Sequence, residues 1–116
     1  MSITPMEVER KLIALSKEID EAHQDLTTAE HKYHTVKAGL EIAMAKSRMQ
    51  NSHPDMKMTS VQREDMALIA NSTLHMELAI AEAEVKASRA NANRIRTQVD
   101  IARSISVSVR ASLEII

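Results

Sequence analysis

At 116 residues the chain is long enough for one domain, and fifteen Lys and Arg against sixteen Asp and Glu leave a formal charge of -1. One glycine, two prolines and a single aromatic residue exclude a turn-rich sheet domain, while 44% apolar residues exclude a wholly disordered chain. The absence of cysteine removes disulfides, thiolate zinc sites and cysteine nucleophiles. No apolar run approaches the ~20 residues needed to span a bilayer. The opening residues MSITP lack the basic end and apolar run of a signal peptide, so no membrane association and a cytoplasmic location are expected. The Asn71-Ser72-Thr73 sequon then carries no weight.

Helix one is predicted over about 5–51. Thr4-Pro5-Met6-Glu7 has the form of a capping box, with Pro5 at the first helical position and Ile3 and Val8 placed as a hydrophobic staple. From Val8 the apolar residues step by four and three: Leu12, Leu15, Ile19, Ala22, Leu26, Ala29, Tyr33, Val36, Leu40 and Ala43. An average step near 3.5 is the coiled-coil period, and it asks for a long partner helix. Leu26 and Tyr33 are the largest members of this seam. Gly39 precedes Leu40, and either a close backbone approach or simple tolerance accounts for it. Asn51 to Asp55, with Pro54, marks a polar turn over 52–59.

Helix two is predicted over about 60–112, capped by Thr59 with Gln62. Its seam runs through Leu74, Leu78, Ala81, Val85, Ala92, Ile95, Val99, Ala102, Val109, Leu113 and Ile116, interrupted at Ser88 and Ser106. The stretch Ser104 to Val109 reads locally as a strand as well as a helix end. Two long helices with a short connection predict an all-α fold: a long antiparallel helical hairpin, or coiled coil, in a single domain over 1–116. A second stripe on helix two contains Met66, Ile69, Thr73, Met76, Ile80, Ala83, Ala87 and Ala90. One partner helix cannot cover both faces, so Met66, Ile69, Met76, Ile80, Ala83 and Ala87 are expected to form an interface in a homo-oligomeric helical bundle.

Several groupings invite a chemical reading. Glu30, His31 and His34 share a helix face, but no further ligands follow at a recognisable spacing, so no metal and no cofactor are assigned. No phosphate loop, dinucleotide fingerprint or nucleophile elbow is present, and no catalytic residue is assigned. A non-enzymatic protein is expected. Met44, Met49, Met56, Met58 and Met66 crowd the hairpin tip, either as gap fillers or as an adaptable binding surface. The sharpest pattern is Arg89, Arg96, Arg103 and Arg110, one every seven residues, with Lys86 and Arg94 nearby. Such a ladder beside a seam forms interhelical ion pairs with acids such as Glu7, Glu18 and Asp25, or it tracks phosphates. Both uses stay open. With almost no aromatic residues, any nucleic-acid binding would be mainly electrostatic.

The amphipathic first arm, the basic AGLEIAMAKSR stretch at Ala38 to Arg48 and the TSVQRED restart precede an Ala- and Arg-rich arm ending ARSISVSVR. Together these parts resemble small helical phage proteins encoded beside recombination genes, including recombination mediators of the UvsY type. That resemblance implies an oligomer that binds single-stranded DNA, helps load a recombinase and works in the host cytoplasm, with the Arg ladder as the DNA contact. The alternatives are a protein-only adaptor or inhibitor, such as a phage protein occluding a host factor, and a structural coiled-coil spacer.

Overall fold

The computed structural model describes residues 3–51 and 58–115. Every regular element among them is helical: α1 spans Pro5–Gln50, α2 spans Ser60–Ala70 and α3 spans Ser72–Ile115. Both starts are fixed by the chemistry written into the sequence. The Glu7 amide donates to Thr4 Oγ1 at 3.2 Å and the Thr4 amide returns a bond to Glu7 Oε2 at 3.3 Å. The Gln62 amide donates to Thr59 Oγ1 at 3.1 Å, and the Thr59 amide donates to Gln62 Oε1 at 3.0 Å. Most of the predicted turn, residues 52–57, lies outside the described residues. The strand-like run from Ser104 to Val109 is helical, and α3 continues past the predicted end near 112.

Helix two differs from expectation by a break at Asn71. Three residues before Leu74, Asn71 takes a seam position with a polar side chain. Its amide nitrogen lies 3.0 Å from Ser47 Oγ on α1 and 2.8 Å from the carbonyl of Ala67. A side chain that bonds its own preceding turn competes with regular helix, and Asn71 has backbone angles of -111° and 22°. The inner face nevertheless carries across: the Asn71 backbone amide reaches the Ala67 carbonyl at 3.1 Å, the His75 amide reaches the Asn71 carbonyl at 3.0 Å, and Ala67, Leu74 and Leu78 share one cluster with Leu40 and Met44. One face of α2 therefore continues onto α3.

The chain forms two compact units, one of Met1–Thr27 with Ala87–Ile116 and the other of Thr28–Lys86. In the first, Leu15 and Ala22 of α1 pack against Ala92, Ile95 and Ala102 of α3, with Leu12, Ile19 and Val99 along the edges. Leu15 is the one large side chain fully buried among the described residues, at 1% exposure. Ser88 and Ser106 are half-buried and hold their seam positions without breaking the helix. In the second unit Leu40 and Met44 pack on Ala67, flanked by Leu74 and Leu78. The pairing is antiparallel, because contacts ascending α1 from Lys32 to Met44 to Arg48 descend from Glu84 to Asn71 to Glu64.

The seam of α1 is correct throughout, since none of its members from Val8 to Ala43 is exposed. Its weight falls differently from expectation: Leu26 and Tyr33 are only half-buried, and near the tip Met44 is buried beside a half-buried Ala43. A straight helix drifts by about 20° per heptad against a 3.5 repeat, which moves the buried line by one residue. Gly39 is exposed, and a Cβ there would meet nothing within 4 Å, so tolerance explains it and close approach does not.

Candidate functional site

Each ladder arginine follows a seam residue of α3: Arg89 follows Ser88, Arg96 follows Ile95, Arg103 follows Ala102 and Arg110 follows Val109. Burial of those predecessors fixes the ladder to one edge of the seam, and all four arginines are exposed. Seven residues rise about 10.5 Å and turn almost two full circles, so the guanidinium groups follow a single line. Arg89 is engaged within the chain. No hydrogen bond or ion pair reaches Arg96, Arg103 or Arg110 among the described residues.

The sequence of α1 explains why Arg96 and Arg103 meet no acid there. Antiparallel helices bring like edges together, and the α1 positions following Val8, Leu15 and Ala22 hold Glu9, Ser16 and His23. Only one of these is an acid. The acids Glu7, Glu18 and Asp25 lie at other heptad positions. They still lower the field: residues 5–27 carry six acids against three bases, so attraction to an anion on α3 acts at short range and is easily screened.

Lys86 and Arg94 do not join this edge. Arg94 lies two residues before Arg96, about 200° away around the helix, and its guanidinium donates to Asn91 Oδ1 at 2.9 Å. Lys86, in the other unit, pairs with Glu82 at 3.3 Å. The groove in the first unit, about 780 Å³, opens on the other edge of the seam, between Ile3 and Pro5 and the α3 side chains Ile101, Ile105, Val109 and Leu113.

In the second unit the second stripe is exposed along its length. Met66 is 43% exposed, Ile69 72%, Met76 66% and Ile80 56%, with Thr73 and Ala83 exposed between and beyond them. Ala87 and Ala90, in the first unit, are exposed as well. Of the methionines at the tip, Met44 is buried in the core, Met58 is half-buried and Met49 is exposed; Met56 lies outside the described residues. The edges of this unit are tied by charge. Lys32 Nζ lies 3.3 Å from both carboxylate oxygens of Glu84. Arg48 grips Glu64 with a two-pronged fork, Nε to Oε2 at 2.8 Å and a terminal nitrogen to Oε1 at 2.7 Å. That fork holds the Glu64 carboxyl below the usual carboxylate range and the Arg48 guanidinium above its own.

Two residues of this region carry no mark in the sequence pattern. Asn71 lies three residues before Leu74, on the backward extension of the seam. A lone polar residue at a seam position fixes register. His75, one turn further along α3, buries Nε2 without a hydrogen-bond partner among the described residues. His31 and His34 stay exposed, and the His34 ring meets Tyr33 edge-on at 5.2 Å. No group of three or more His, Asp or Glu among the described residues is arranged to hold a metal. No described helix is long and apolar enough to cross a membrane. Comparison with known proteins finds no matching family model, no matching curated protein and no matching solved structure.

Proposed function

We propose that this chain is a non-enzymatic binding protein. It assembles with copies of itself through the open face of α2 and α3, and it contacts the phosphates of single-stranded DNA through the arginine edge. The role that joins these properties is mediation of recombination, in which a DNA-coating oligomer helps load a recombinase in the host cytoplasm. The observation that carries the reading is the state of Arg96, Arg103 and Arg110. Charges at that heptad position ordinarily serve interhelical pairing, yet these three stand in line, in water, with no bonded acid among the described residues. Arginine at such sites offers planar forks that match phosphate oxygens.

Replacing Arg89, Arg96, Arg103 and Arg110 with Gln keeps length and helix propensity while deleting the charges. Affinity for a single-stranded oligonucleotide should fall, and the log–log salt slope should flatten by ~0.7 for each phosphate no longer neutralised. Melting temperature and oligomer mass should stay close to wild type, since exposed charges contribute little to stability. Unchanged DNA affinity, or a large loss of stability, would overturn the assignment.

A second reading is supported by the open apolar groove beside Ile3, Ile101 and Leu113 together with the exposed Met49. Both fit a protein-only adaptor that occludes a host factor. A protein that ignores DNA yet retains a protein partner in pull-downs when Met49 is intact, and loses it in Met49→Glu, would favour that reading.

A further inference from the structure

Self-assembly through the second stripe leaves open how two copies meet, and the pattern of residues along the stripe decides it. We infer that the Met66 to Ala83 face of Thr28–Lys86 pairs with the same face of a second copy, antiparallel about a two-fold axis. The inference rests on the reading that this face covers a second copy. Its four large side chains are 43% (Met66), 72% (Ile69), 66% (Met76) and 56% (Ile80) exposed, and covering a patch of six residues on both copies would bury on the order of 1,000 Å² together, the lower edge of what a specific interface needs. Supply of a second, equal face is what a two-fold axis provides, because the patch then has to complement only itself.

Antiparallel alignment matches a large residue with a small one in two of the three layers. Met66 falls opposite Ala83 of the partner subunit, and Thr73 falls opposite Met76 of the partner subunit. Ile69 meets Ile80 of the partner subunit in the layer between. The charges flanking the outer layer also match. Asp65 then lies beside Lys86 of the partner subunit on one edge, and Arg63 lies beside Glu84 of the partner subunit on the other. The two-fold axis repeats both pairs at the far end. Lys86 and Glu84 have exposed partners in their own chain, Glu82 and Lys32, so the new pairs would extend existing surface networks. A parallel alignment loses these matches: Asp65 would face Ala70, Ser72 would face Glu77 and Ala79 would face Glu84 of the partner subunit. Ala67, Leu74 and Leu78 pack in one cluster across Asn71 while Met66, Ile69, Thr73 and Met76 are all exposed, so these four share the outer face.

The chain contains no cysteine, which permits a direct test. Met66 and Ala83 are seventeen residues apart, or about 25 Å along one helix, so a bond between them cannot form within a chain. Met66→Cys combined with Ala83→Cys, oxidised at micromolar concentration, should give a covalent dimer of twice 12.9 kDa. Met66→Cys alone should stay monomeric on a non-reducing gel. Strong cross-linking of the single variant, or no cross-linking of the double variant, would overturn the antiparallel register while leaving self-assembly intact. Light scattering of the wild-type chain reads the underlying premise separately, and a stable monomer would overturn both. Circular dichroism of each cysteine variant must match wild type; if it does not, Ile69→Cys with Ile80→Cys tests the same register one layer inward.

Discussion

Truncating Leu15 to Ala probes the seam at its most enclosed point. The side chain is 1% exposed and packs in a cluster with Ala22, Ala92, Ile95 and Ala102. Removing a buried Leu side chain costs ~2–5 kcal/mol, and the upper values belong to rigid cavities inside large cores. A seam one side chain thick, bordered by the half-buried Leu12 and Ile19, can close partly over the gap. The expected cost is therefore in the lower half of that range, ~2–3 kcal/mol. At this chain length that corresponds to a fall in melting temperature of about 10 °C. Ile13 supplies an internal control: it lies two residues away on the same helix, is 72% exposed, and loses a similar side chain on truncation. Ile13→Ala should cost less than ~0.5 kcal/mol. Both variants should be melted by circular dichroism at one fixed protein concentration, because assembly makes the midpoint concentration-dependent. Equal destabilisation by the two would refute the heptad register of α1.

Gly39→Ala should raise stability by about 0.5–1 kcal/mol, because the position is helical, exposed and open to a Cβ. A fall in melting temperature would reveal a close contact at Gly39 within the assembled protein. Acid titration tests the Arg48–Glu64 fork. Since the Glu64 carboxyl is held below its ordinary value near 4.5, its contribution is fully present above that value. It is lost as the pH falls through the lowered one. Glu64→Gln should therefore lose less melting temperature than wild type on acidification below pH about 4.5, by a small and salt-sensitive margin because both side chains are half exposed. Identical acid profiles would show that the fork does not persist in solution.

The all-α hairpin is legible in the sequence because two signals converge on it. The period-3.5 apolar run of α1 asks for a partner helix, and reciprocal caps at Thr4 and Thr59 mark where the helices begin. The break at Asn71 escapes a seam that starts at Leu74, since a polar residue just before that start is indistinguishable from ordinary helix interior. Which seam residue lies deepest cannot be read from spacing. That depends on how far the buried line drifts along a straight helix, so Leu15 and Met44 have burial that Leu26 and Ala43 lack. Position along the sequence places all four ladder arginines together. It groups Arg94 with them as well, and only the angular position on α3 separates it. Whether Arg96 and Arg103 meet acids depends on the edge of α1 facing them, where His23 and Ser16 stand at positions that an ion-pair reading would fill with carboxylates.

Phosphate contact along the arginine edge is read by a salt titration of single-stranded DNA binding by the wild-type chain. A fluorescently labelled oligonucleotide followed by anisotropy from low to physiological ionic strength should show binding that weakens steadily with salt. If Arg96, Arg103 and Arg110 each neutralise one phosphate, the log–log slope should be about -2 per chain, at ~0.7 per phosphate. Absence of binding at the lowest salt, or binding indifferent to salt, would contradict the account.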